Sequence, residues 1–250
     1  NGFNINYINL VGFDFIKALV TDIDPDANVP LLALTPEQAL GKEGVSRFLV
    51  KHQAYLFFPM LCLKGISLRL AGIQHLLLKK AKYPLVESTV LIAHVVIYTG
   101  LLFYFLNPLH AVLFMVVHQS LLGLYMGGVF APNHKGMPIL GLGHKMNYLR
   151  QQVETARNIK PNPLVDYLYG GLNYQIEHHL FPSMSSNKMG EAQKIVRAFC
   201  QERSVSYHET GVVGAYWEIL KHLHEISRPL RLGNEQAIPA RKLLDKGSPR

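Results

Sequence analysis

No Lys, Arg, Asp or Glu occurs between Ser88 and His134. That run is too long for one buried helix of a soluble domain, and it suits two membrane spans of about 20 residues each. Asn107-Pro108 is a turn signal inside it, so spans are predicted at about Val86–Leu106 and Leu109–Phe130. Lys79, Lys80 and Lys82 precede the first span, and Lys135, Lys145 and Arg150 follow the second; the connecting turn has no basic residue. The positive-inside rule then puts both outer ends in the cytosol and the turn on the far side. The expected fold is all-α and integral to the membrane: one transmembrane hairpin with interfacial and cytosolic helices.

Charge narrows the partners. Lys and Arg number 25 against 17 Asp and Glu, a surplus of +8. A basic balance serves nucleic acid or an anionic membrane surface; here the charge is segregated around an apolar run, so membrane lipid is expected and nucleic acid is not. The length of 250 residues suffices for one core or one membrane unit. Cys62 and Cys200 are far apart and form no CxxC pair, so neither a disulfide framework nor a zinc ribbon is indicated. No signal peptide is visible, and a first residue that is Asn1 rather than Met is expected of a fragment.

Around the hairpin the signals are local. Residues 1–34 are turn-rich, and their acidic patch Asp22–Asp26 fails as a calcium loop, with Ala27 where glycine and Ala33 where glutamate are needed. Thr35-Pro36-Glu37-Gln38 reads as a capped helix start. Ala54–Leu63 contains Pro59, is too short to span, and reads as interfacial or re-entrant. Residues 191–203 and 212–226 are predicted amphipathic helices, and 227–250 is expected to be a disordered basic tail. No internal repeat is evident.

The chemistry concentrates in Gln175-Ile176-Glu177-His178-His179-Leu180-Phe181-Pro182. On a helix, positions i, i+3 and i+4 share a face, so Gln175, His178 and His179 can converge. Imidazole suits iron, copper, nickel and zinc alike. Asn133-His134-Lys135-Gly136-Met137 lies where the second span emerges, on the side that also holds 175–179, so His134 can join the pair. His144 is a weaker candidate in the same segment. Three histidines and an open position resemble a catalytic zinc site, but neither HExxH nor HxxEH occurs and Glu177 projects away from the ligand face. His94, His110 and His118 lie in or beside the spans, where a functional role and a hydrogen bond across the hairpin both remain open. His52, His75, His208, His222 and His224 are read as surface or packing residues.

Gln175-xx-His178-His179, preceded by Gly171-Leu172-Asn173-Tyr174 and followed by Leu180-Phe181-Pro182, resembles the third histidine box of membrane fatty acid desaturases. It is similar to the variant with glutamine as the first residue, seen in linoleoyl-CoA-desaturase-like and front-end enzymes. Asn133-His134 with Gly136-Met137 resembles that family's additional ligand motif, and Thr35-Pro36-Glu37 through His52-Gln53 and Phe57-Phe58-Pro59 looks like bacterial members. The resemblance covers roughly residues 9–226. It implies the C-terminal half of a four-span fold, with a metal-site region at 133–182 and a non-haem di-iron centre at the cytosolic face. That centre would desaturate a fatty acyl chain, as acyl-CoA or acyl lipid, with O2 and two electrons. The electrons would come from a separate ferredoxin- or cytochrome b5-like donor with its reductase, since no HPGG-like haem motif is present. His134, His178 and His179 would ligate iron, and Gln175 would hold the replaced ligand's position directly or through water; no catalytic residue separate from the metal site is implied.

The chain departs from this pattern in one respect. The family's earlier boxes, HxxxH or HxxxxH and HxxHH, occur nowhere among the twelve histidines, and Asn9–Asp14 weakly resembles the stretch just beyond the second. The chain is therefore expected to be a carboxy-terminal portion or a degenerate product, inactive alone. The alternatives are a non-catalytic membrane remnant or interaction protein, and a lipid hydroxylase or ketolase using the same site type.

Overall fold

The computed structural model of the protein describes residues 31–78, 81–138, 140 and 146–233. Asp22–Asp26, Asn9–Asp14, Lys79, Lys80, His144, Lys145 and the tail beyond Gly233 lie outside these residues. The described elements are α1 (Pro36–Leu40), α2 (Gly44–Lys51), α3 (Gln53–Cys62), α4 (Lys64–Leu77), α5 (Pro84–Phe105), α6 (Pro108–His134), α7 (Tyr148–Glu154), β1 (Asn158–Ile159), α8 (Pro163–Tyr169), α9 (Gln175–Leu180), α10 (Ser186–Glu202), β2 (Glu209–Thr210), α11 (Val212–Ile226) and α12 (Arg228–Leu232). Among the described residues the fold is all-α apart from the short strands β1 and β2, which pair in parallel with Asn158 opposite Glu209. The described residues divide into two compact units, one within 58–128 and one formed by those within 31–57 and 129–233.

In the first unit, α5 and α6 are long and apolar enough to cross a membrane. They confirm the predicted spans and extend them: Pro84 takes the first turn of α5 and α6 continues through Pro132 to His134. Asn107 starts α6, its Oδ1 accepting from the His110 N–H at 3.0 Å. Tyr98 on α5 shares a 2.8 Å hydrogen bond with His118 on α6, so His118 is engaged across the hairpin. Arg69 of α4 donates to Gln119 Oε1 and to His94 Nε2, both at 2.9 Å. The segment read as interfacial or re-entrant is α3, and α4 continues it after a 67° bend. Gly65 and Gly123 let this bend approach α6 closely; a Cβ on Gly123 would stand 2.6 Å from the Leu61 carbonyl oxygen.

The second unit carries the candidate site. Thr35 Oγ1 accepts from Gln38 N–H at 3.2 Å as predicted, while Gln38 Oε1 reaches the N–H of Leu34. Val153, Ala156, Ile176, Val196, Cys200 and Val205 form one apolar core, joining α7, α9 and α10. Ala33, Ala39, Val50, Ile226 and Leu230 form another. That second core corrects the expectation of a disordered tail over 227–233. Leu230 lies four residues beyond Ile226 and continues its apolar face, so 228–232 is helical with Pro229 and Leu230 buried. The helix predicted at 191–203 begins earlier, at Ser186.

Candidate metal centre

The site is built where the end of α6 meets α9. Asn162 caps α8, accepting from the N–H groups of Leu164 and Val165 at 3.1 and 3.0 Å, and Gly170 ends that helix in the left-handed region. Gly171 follows at φ 91°, where a Cβ would also stand 2.8 Å from the Ser186 side chain. Only glycine accepts that backbone without strain, and the turn it makes feeds Asn173 and Tyr174 into the box helix. Ile176 plugs the apolar core from one side of α9.

His134 and His179 come together. Their ring centroids are 5.0 Å apart with planes inclined by 20°, and His178 stands 6.3 Å from His179 at 49°. Gln175 and His179 are buried and His178 is half-buried. A chain of side-chain hydrogen bonds orders the group: Asn133 Nδ2 donates to the Leu172 carbonyl at 2.9 Å and to Gln175 Oε1 at 3.0 Å. Gln175 Nε2, with its oxygen so engaged, faces His179 Nε2 at 2.9 Å. The amide therefore donates and His179 Nε2 accepts, an orientation that follows from the network. His179 Nδ1 is buried without a hydrogen-bond partner, which costs about 1–3 kcal/mol unless something occupies it. Burial, with His178 adding to it, brings the His179 pKa down to about 4, and burial lowers that of His178. Both imidazoles are neutral near pH 7, as metal binding requires.

The donor chemistry thus fits a metal, but the predicted meeting of His134, His178 and His179 around one ion is not formed. Among the described residues, no group of three His, Cys, Asp or Glu side chains is arranged to hold a metal. Near-parallel rings aim their in-plane lone pairs side by side rather than at one point, and successive positions on α9 diverge by about 100°. The four donors make part of a site.

Glu177 projects away from the ligands, as helix geometry required. It is buried, accepting from Asn158 Nδ2 at 2.7 Å and from the Tyr207 hydroxyl at 2.9 Å, and burial raises its pKa. Arg157, Asn158 and Tyr207 were not foreseen as parts of the site. No sequence signal marked them, because Arg157 and Asn158 lie in the polar stretch 150–162 and look like ordinary surface residues there. Of the other histidines, His208 pairs with Glu218 at 2.9 Å, and His52 and His224 pack against Phe48 and Tyr55.

A sequence profile of the fatty acid desaturase family matches residues 17–211. The chain belongs to the fatty acid desaturase family. It is 29% identical over 143 residues to an acyl-lipid (9-3)-desaturase of Physcomitrium patens, covering 57% of this chain and 27% of that protein. It is 36% identical over 98 residues to the Delta(6)-fatty-acid desaturase fat-3 of Caenorhabditis elegans, 38% of this chain and 22% of the relative. A Delta 8-(E)-sphingolipid desaturase of Kluyveromyces lactis is 26% identical over 184 residues, 70% and 32%. The desaturase chain thus spans a third or less of these relatives. No solved structure matches it. Family membership and two apolar helices make this desaturase-family chain a membrane protein.

Proposed function

We propose that His134, Gln175, His178 and His179 form part of the active centre of a membrane fatty acyl desaturase. Two adjacent methylenes of an acyl chain give up two hydrogens and become a double bond, and O2 takes those two hydrogens with two electrons and two protons to become two waters. Iron, when bound, supplies the oxidant needed to break an unactivated C–H bond. This chain's residues present neutral imidazoles, orient them and keep water out. Gln175 fixes the His179 ring through its amide, and Asn133 fixes Gln175. A di-iron centre needs more donors than these four, so ligands beyond the described residues complete it. The relatives' names span acyl-lipid, fatty-acid and sphingolipid desaturases, which agrees with a fatty acyl substrate and leaves its head group open. Electrons come from a redox donor, and the centre faces the cytosol, on the side carrying Lys135 and Arg150.

The observation that carries this reading is the approach of His134, at the end of a membrane helix, to the buried pair Gln175–His179. Iron analysis of the purified full-length form tests it, together with mass analysis of its lipid products. About two irons per chain and acyl products two hydrogens lighter are expected. His179→Ala should abolish both and His52→Ala neither. A well-folded preparation without iron would favour a non-catalytic membrane protein instead, and a product heavier by one oxygen would indicate a hydroxylase.

A further inference from the structure

The two elements that bring ligands to the centre are held by two consecutive residues. Arg157 serves the end of α6. Its backbone N–H donates to the Asn133 carbonyl at 2.9 Å, its Nε to the Pro132 carbonyl at 2.7 Å, and its Nη2 to the Lys135 carbonyl. These carbonyls flank His134 and belong to a helix terminus that lacks intrahelical donors. The guanidinium is fully buried, and Nη1 pairs with Glu218 on α11. Asn158 serves α9. Its Oδ1 accepts from the Ile176 N–H at 2.9 Å, and its Nδ2 donates to Glu177 Oε2 at 2.7 Å and to the Tyr207 hydroxyl at 2.6 Å. Ile176 and Glu177 lie between Gln175 and His178 and face away from the ligands, so gripping them fixes how far α9 is rotated. The backbone of Asn158 is itself fixed, its N–H donating to the His208 carbonyl at 3.0 Å within the β1–β2 pair.

We propose that Arg157-Asn158 is the positioning element of the centre, Arg157 setting His134 and Asn158 setting the rotation of Gln175, His178 and His179. As adjacent residues on one short strand and the turn before it, they register the end of α6 against α9 to within one peptide unit. Neither touches the reacting atoms; both act through the ligands. The metal-dependent part of this inference rests on the function proposed above.

The experiment uses the full-length chain in detergent and has two arms. In the first, Co(II) is titrated as a spectroscopic probe into the parent and into Arg157→Gln, Arg157→Lys, Asn158→Ala and Glu218→Gln. Loss of partners that orient ligands weakens metal affinity by about 10–100-fold, and that loss is expected with an altered Co(II) spectrum for Arg157→Gln and Asn158→Ala. Arg157→Lys should not rescue, because one ammonium cannot span the Pro132 and Lys135 carbonyls. Glu218→Gln keeps those carbonyl contacts and should bind like the parent. A purely structural role would lower the folded fraction in all four variants alike and leave the spectrum of the bound metal unchanged; that result overturns the proposal.

The second arm needs no metal: diethyl pyrocarbonate modification, resolved by residue with mass spectrometry. Arg157→Gln should speed modification of His134 selectively, and Asn158→Ala that of His179. Equal or absent changes at both histidines overturn the positioning role. If the parent binds no Co(II) while this selectivity holds, the metal reading fails and the positioning role stands.

Discussion

At the level of single side chains, His222 illustrates how burial decides charge. It lies on α11 beside Gly136, where a Cβ would come within 3.7 Å of the His222 Cβ. Burial lowers its pKa below 6.5, Lys135 and Arg157 add to that effect, and a contact with the Leu34 backbone opposes it. The unfolded chain then binds more protons than the folded one just below pH 6.5, so stability rises with pH in that range. The contribution is present above pH 6.5 and is lost as pH falls through the lower folded value. His222→Gln should therefore flatten the acid side of the stability curve, read as denaturant midpoints at pH 7.5 and 5.5. Tyr207→Phe should cost about 1–3 kcal/mol, since it removes a donor from the buried Glu177 carboxylate; equilibrium unfolding measures it. At this scale the sequence disclosed residues whose chemistry is local. Gln175, His178 and His179 share one short helix, and Glu177 had to face elsewhere. Arg157, Asn158 and Tyr207 act across distances in sequence that no spacing rule links to residues 175–182.

Elements were legible where one physical signal dominated. Absence of charge over 88–134 announced two spans, and Asn107-Pro108 marked their boundary. The helix of the second span continues four residues past the predicted boundary at Phe130, to His134, where Arg157 supplies partners to carbonyls that the terminus leaves open. α12 was missed for a similar reason: Leu230 is an ordinary tail residue until Ala33, Ala39 and Val50 provide the surface it packs against. The contact between the α3–α4 bend and α6 depends on small residues, as helix packing in membranes generally does. A Cβ on Gly65 would lie 2.5 Å from the Gln119 carbonyl oxygen, and one on Gly123 would meet backbone atoms of Leu61, Cys62 and Gly65 within 2.8 Å. Backbone cannot rotate aside, so Gly65→Ala and Gly123→Ala should each destabilise by about 1–3 kcal/mol. Gly72 and Gly100 have nothing within 4 Å of the corresponding position, and alanine there should be neutral or stabilising by up to about 1 kcal/mol. Thermal inactivation of the four variants in one detergent would separate the two pairs.

For the molecule as a whole, the orientation proposed above rests on the hairpin and the charges at its ends. α6 is one helix from Pro108 to His134, so the first candidate ligand is its last residue. Lys82, Lys135 and Arg150 flank the hairpin, while the turn at Asn107 has no basic residue, and basic residues near span ends are retained in the cytosol. The same proposal carries the candidate ligands at 175–179 to that side, since His179 stacks on His134. This proposal needs only span boundaries and charge, which the sequence supplies, and the missing HxxxH and HxxHH spacings likewise carry the expectation of a partial centre. The internal geometry of the centre was not legible there, since the 20° inclination of His134 on His179 depends on contacts from α8, β1 and α11. Orientation can be measured in intact cells with a membrane-impermeant maleimide on a Cys62→Ser, Cys200→Ser background. Asn107→Cys should react from outside, whereas Lys188→Cys, on the exposed side of α10 next to the box helix, should react only after lysis. Labelling of both from outside would break the hairpin topology. Labelling of Lys188→Cys alone from outside would invert it, placing the centre away from cytosolic electron donors and removing the source of reducing equivalents that desaturation requires.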